Sequence, residues 1–86
     1  MNIVFIDVRE PYEFATGHVK GAINIPPAKL MSGDKKLNEV PKEAEVVLYC
    51  RTGSRSAVSA HIMKSMGYTN ITNGINKDRI KAKYGI

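Results

Sequence analysis

The 86-residue chain has no tryptophan, one cysteine and two histidines, and no apolar run near the roughly 18 residues that cross a bilayer. Each scarcity excludes something. A single cysteine cannot close an internal disulfide, so no disulfide framework supports the fold and cysteine usage leaves the redox compartment open. His18 and His61, far apart in sequence, make no zinc pattern with one cysteine, and nothing in the chain asks for a metal or another cofactor. Neither a basic segment nor an apolar leader core precedes Ile3-Val4-Phe5-Ile6, Met1-Asn2 running straight into that stretch. The expected location is cytoplasmic, or periplasmic if a leader has been removed. No repeat, low-complexity tract or linker divides the chain. One domain over residues 1–86 is expected, with a small core, because a chain this short buries only about 60% of its unfolded surface.

What is present is ordinary globular composition, 43% hydrophobic and 24% charged, with a net charge of +5. The basic residues near the C-terminus, Lys77, Arg79, Lys81 and Lys83, are not interleaved with aromatics and form no nucleic-acid motif, so a solvated helix face is expected and no nucleic-acid partner. No membrane partner is expected either. The positive field still favours small anions.

Cys50 ends the apolar run Val46-Val47-Leu48-Tyr49 and opens the loop Arg51-Thr52-Gly53-Ser54-Arg55, ahead of a helical pattern. Unpaired N–H groups in a tight loop and at a helix start carry partial positive charge, and two arginines add to it, which favours thiolate over thiol. A buried structural cysteine would need neither the glycine nor the flanking cations, so Cys50 reads as a nucleophile.

Apolar spacing gives strands at Ile3 to Val8, Ala22 to Ile25, Glu45 to Tyr49 and Ile71-Thr72. Pro11 opens a brief helix through Phe14, ended by Gly17. Ala28 to Glu39 reads as a helical turn, a loop at Ser32-Gly33-Asp34, and a second weak turn. From Arg55 to Met66 the positions Val58, Ile62 and Met66, with Ala57, Ala60 and Met63 beside them, predict one buried helix face, and Gly67 caps it. Ser54 or Ser56 is the expected N-cap. Asn73-Gly74 is expected to turn the chain into a last helix or irregular tail. Arg9 and Glu13 have the spacing of a helical ion pair. Strands alternating with helices imply an α/β fold, a small parallel sheet with helices on both faces, and put Cys50 at a strand's carboxyl end, where such sheets bind ligands.

Asp7-Val8-Arg9, the stretch Gly17-His18-Val19-Lys20-Gly21-Ala22-Ile23-Asn24-Ile25-Pro26, the loop Cys50 to Arg55 followed by Ser56-Ala57, and Gly67-Tyr68-Thr69-Asn70 occur in an order that resembles the rhodanese family of sulfurtransferases. In layout the chain resembles its small single-domain members of the phage-shock type. The resemblance implies that Cys50 attacks the outer sulfur of a donor such as thiosulfate, holds it as a persulfide and passes it to cyanide, a thiol or a protein acceptor. Loop residues Arg51, Thr52, Gly53, Ser54 and Arg55 would bind the anionic donor, through backbone N–H groups and the two guanidinium groups, although Arg55 has a second reading as a brace paired with a carboxylate. Asp7, Arg9 and His18 take architectural roles, and His61 is a surface residue. A monomer is expected.

Three rivals keep the fold. A cysteine phosphatase or arsenate reductase would carry its arginine one position later, where this chain has Ser56. A non-catalytic module would lack the cysteine. A persulfide relay to a partner protein would use the same chemistry. The chain departs from the family near its end, where Asn73-Gly74 replaces the usual pair of glycines and Asp78 stands at the place of a common tryptophan.

Overall fold

Ile3–Asp7 and Glu45–Cys50, rich in β-branched and aromatic residues, pair in parallel as strands β1 and β3 at the centre of one sheet. The structure, a computed structural model, describes residues 3–86, so Met1-Asn2, read above as the lead-in to β1, lie outside the described residues. Strand β2 (Ile23–Asn24) adds to the free side of β1 and β4 (Ile71–Asn76) to that of β3, giving the all-parallel order β2-β1-β3-β4. The connections carry α1 (Pro11–Ala15), α2 (Pro27–Met31) with a 3₁₀ turn at Lys35–Glu39, and α3 (Ser54–Ser65), and α4 (Lys77–Tyr84) ends the chain. Successive strands go to opposite sides of β1, so the carboxyl ends of β1 and β3 flank a topological switch point, and Cys50 lies on its rim.

Side chains alternate across β3 and feed two cores. Val46, Leu48 and Cys50 join Ile6, Val8, Leu30, Met63 and Tyr68 under α2 and α3. Val47 and Tyr49 face the other way, against Val19 and Ile80 of α4. The predicted parallel sheet with helices on both faces is what forms.

The α3 surface is rotated from the predicted one. Val58 is 56% exposed, and the fully buried residues are Ser56, Ser59 and Met63. A period counted on apolar residues misses small hydroxyl side chains, which enter a helix–sheet interface once their polarity is satisfied, as when the Ser59 hydroxyl donates to Arg55 O at 2.9 Å. Pro27 starts α2, one residue ahead of the Ala28 expected from the sequence. The last strand is also longer than Ile71-Thr72. It runs on to Asn76 through a bulge, in which Leu48 pairs with Asn73 and Tyr49 with Ile75, leaving Gly74 as the extra residue. Glycine is needed there by packing, since a Cβ on Gly74 would lie 2.9 Å from Ile80 and from Val47. Ile75 takes the left-handed backbone, φ 74°, and its N–H is held by Asn73 Oδ1 at 3.0 Å.

Gly74→Ala should therefore destabilise the protein by about 1–3 kcal/mol, because Val47 and Ile80 are buried and cannot retreat. Urea denaturation checks this, and a variant as stable as the parent would contradict the packing argument.

Candidate active site

Cys50 is the last residue of β3, its side chain on the core face and only 2% exposed. Beyond it the chain curls so that Gly53, at φ 95°, turns its N–H back onto the sulfur at 3.1 Å. That conformation suits glycine, and the Gly53 backbone also starts α3, so the cap is Gly53 rather than Ser54 or Ser56. Instead of capping, Ser56 buries its hydroxyl 3.5 Å from Cys50 Sγ. Burial pushes the thiol up, but the hydroxyl of Ser56 and the N–H groups of Ser56, Gly53 and Thr52 outweigh it and bring the group down to about 7. The loop is a ring of donors focused on one atom.

The two arginines of the loop go different ways. Arg51 is exposed, and among the described residues it makes no ion pair. Arg55 grips Glu13 of α1 through both terminal guanidinium nitrogens, at 2.7 and 3.1 Å. Glu13 Oε1 also accepts the Glu10 N–H at 2.9 Å, closing a capping box at the start of α1. Arg55, with that backbone bond second, holds the Glu13 carboxyl down at about 2. Arg55 thus ties the cysteine loop to the helix across the crevice. The exposed hydroxyls of Thr52 and Ser54 bond to each other at 3.2 Å on the outside of the loop.

The expected Arg9–Glu13 pair does not form, because each residue has a nearer partner. Arg9 is buried on Asp7, with Nη2 2.7 Å from Oδ2 and Nε 2.9 Å from Oδ1. Nη2 of Arg9 also donates to Gly17 O at 2.7 Å, and the guanidinium lies 5.6 Å from the centre of the Tyr49 ring. Asn24 Nδ2 stitches the same corner by donating to Asp7 O and Arg9 O, both at 2.9 Å. His18 stacks on Phe14 with ring centres 3.6 Å apart and sets Nδ1 2.9 Å from Phe14 O, and His61 is exposed.

Above Cys50 opens a pocket of about 520 Å³, lined by Arg9, Tyr12, Glu13, Arg51, Lys77 and Asp78. Cys50, Arg51 and the polar wall at Asp78 are legible in the sequence, whereas the place of Lys77 on that wall is not. Lys77, expected on a solvated face, begins α4 at the carboxyl end of β4, the same sheet edge as Cys50. Asp78 faces the pocket where the family often has tryptophan, and this wall is polar. Two further residues act in roles their spacing does not show: the first turn of α3 brings the Ser56 hydroxyl to the sulfur, and the packing of α1 brings Glu13 to the loop.

Alkylation of Cys50 should show a midpoint near pH 7, well below the ordinary thiol value of 9.0. Rates against pH by mass spectrometry test this, and a midpoint at 9.0 would remove the donor ring as its cause. The Glu13 pair has its own pH signature. A carboxyl lowered from 4.5 to about 2 stabilises the fold fully above its unfolded value and loses that contribution as pH falls through the folded one. Acid unfolding below pH 4.5 should therefore set in earlier for Glu13→Gln than for the parent. Superimposable acid curves would contradict the pairing.

A family model described as a rhodanese-like domain matches residues 1–76. YqhL of Bacillus subtilis is 42% identical over 83 residues, which cover 91% of this chain and 64% of that protein. The thiosulfate sulfurtransferase PspE of Escherichia coli is 37% identical over 70 residues, 80% of this chain and 65% of its own length. This chain thus spans about two thirds of either relative. Among solved structures, a rhodanese with anions from E. coli superposes with a TM-score of 0.79 at 33% identity, over 90% of this chain and 89% of that one. A cysteine loop at the switch point of a parallel sheet, the strand and turn motifs that brace it, and a family match over residues 1–76 have one conclusion: the chain belongs to the rhodanese-like domain family.

Proposed function

We propose that the protein is a sulfurtransferase that moves the outer sulfur of thiosulfate through a Cys50 persulfide to a thiophilic acceptor, cyanide or a thiol. The observation that carries this reading is the cluster of donors on Cys50 Sγ, with the Gly53 N–H at 3.1 Å and the thiol held at about 7. A thiolate attacks the outer sulfur of thiosulfate, the sulfur–sulfur bond breaks, and sulfite departs with the electron pair. Attack of the acceptor on the outer persulfide sulfur then returns Cys50 as thiolate. The first step starts from negative charge on Cys50 Sγ and the second returns it there, and fixed N–H groups stabilise that charge. Arg51 at the pocket mouth and Lys77 on its far wall supply positive charge toward the sulfonate end of the donor.

Geometry weighs against phosphate chemistry. The phosphatase register falls on Ser56, which is buried beside the sulfur, and Arg55, one residue early, is engaged by Glu13. No guanidinium is left in the loop to clamp a tetrahedral oxyanion except the exposed Arg51. A protein acceptor, as in a persulfide relay, would meet the same sulfur and the same pocket.

The protein should turn over thiosulfate and cyanide by a ping-pong route, and intact mass after thiosulfate alone should show one added sulfur, both lost in Cys50→Ala. Hydrolysis of an aryl phosphate should be negligible beside this activity. Sulfur transfer surviving in Cys50→Ala would defeat the assignment, and phosphatase activity above sulfur transfer would defeat the choice of chemistry.

A further inference from the structure

Asn73 replaces the first of the two glycines that the family resemblance leads one to expect, and its side chain makes three hydrogen bonds at the back of the cysteine loop. Nδ2 donates to Gly53 O at 3.0 Å, while Oδ1 accepts the Ile75 N–H at 3.0 Å and the Ser56 hydroxyl at 2.6 Å. The same Ser56 oxygen lies 3.5 Å from Cys50 Sγ. A hydroxyl has one proton to give. With that proton on Asn73, Ser56 Oγ can only accept, and the partner it suits is the thiol S–H. An ionised sulfur can only accept, so the hydroxyl must turn away from Asn73 to reach it.

We propose that Asn73 is a positioning residue that sets the proton affinity of the Cys50 sulfur by competing with it for the single hydroxyl proton of Ser56. While the thiol is intact Asn73 holds the proton, and on ionisation Ser56 rotates and donates to sulfur. The thiol proton leaves to solvent, and no covalent bond of Ser56 or Asn73 changes. Asn73 Oδ1 keeps the Ile75 N–H throughout, so the rotation does not strand an acceptor. Its Nδ2 bond to Gly53 keeps the amide from following the hydroxyl. The same rotation would recur each time Cys50 is released as thiolate, a consequence that rests on the sulfur-transfer reading.

Other charged or titratable groups face the sulfur. They are Arg9, held by Asp7, Tyr12 and Glu13 of α1, Arg51 and Arg55 of the loop, and Lys77 and Asp78 of α4. Among the described residues none of these hydrogen-bonds through its side chain to Ser56 or Asn73, so an effect that vanishes with the Ser56 hydroxyl is separable from theirs.

The test is the pH midpoint of Cys50 alkylation by iodoacetamide in the parent, Asn73→Gly, Ser56→Ala and the double variant. Glycine is chosen because it accepts any backbone at the bulge. Asn73→Gly should lower the midpoint by about half to one unit, a three- to tenfold gain in thiolate at acid pH. Ser56→Ala should raise it, and adding Asn73→Gly to that variant should give no lowering. An equal shift in both backgrounds, or a rise when Ser56 is present, overturns the proposal. A second measurement needs no change at Asn73. In the parent, the nuclear magnetic resonance signals of the Asn73 side-chain amide should titrate with the Cys50 midpoint, and in Ser56→Ala they should cease to. Signals that stay still in the parent also overturn it. Because thiolate is read directly, a failed cycle with intact sulfur transfer removes only this proposal. A sound cycle with sulfur transfer independent of Cys50 removes only the proposed function.

Discussion

The interaction on which the rest of the structure depends is the buried ion pair between Asp7 and Arg9 at the end of β1. Two charges taken out of water are tolerable only when every polar atom around them is satisfied. Here the carboxylate takes the Arg9 backbone N–H as well as its guanidinium, and Nη2 continues to Gly17 O. Asn24 closes the peptide carbonyls of both residues, and the Tyr49 hydroxyl accepts the Val19 N–H at 3.0 Å. This corner fixes the crossover from β1 to β2, and with it the position of α1. Since Glu13 projects from α1 to Arg55, the brace on the cysteine loop is anchored ultimately in that pair. Removing one partner would leave a buried charge alone, which typically costs about 3–5 kcal/mol.

Much of this was legible in the residues. A continuous apolar run such as Val46-Val47-Leu48-Tyr49 has few places in a small domain other than a central parallel strand, and a cysteine after it must emerge at the carboxyl edge. The order of motifs carried the fold because those motifs are the corners of the sheet. What escaped were features that depend on neighbours distant in sequence. Arg9 and Glu13 share a local spacing, but each partner was decided by how β1, α1 and the loop come together, and nothing in the pentapeptide encodes that. Val58 looked like core because hydropathy ranks it above serine. At the α3–sheet interface, small size with a satisfied hydroxyl outweighed hydropathy. The extension of β4 was hidden by Asn73-Gly74, a strong turn signal that serves here as a bulge.

The electrostatics of the site also differ in kind from what two loop arginines suggest. The thiol is lowered by short-range donors, the Ser56 hydroxyl and three backbone N–H groups, against the opposing push of burial. Guanidinium charge acts from farther away, and half of it is neutralised by Glu13. Such an arrangement resists salt, because hydrogen bonds to a buried atom are not screened as exposed charges are. The positive wall contributed by Arg51 and Lys77 remains sensitive to it, so recognition of an anion and activation of the sulfur are separable properties of one pocket.

The bulge in β4 bears on a matter unrelated to chemistry. β4 is an outer strand, one side on β3 and the other unpaired among the described residues. Long, flat, apolar edges invite a second molecule to add its own strand and so seed aggregates. This edge is interrupted midway by an inserted glycine and by an isoleucine with left-handed backbone, and its final residue passes directly into α4. The row of peptide groups it offers to solvent is therefore broken after three residues, too short and too twisted to template a straight neighbour. The bulge that sets Asn73 at the back of the cysteine loop also keeps the sheet from growing.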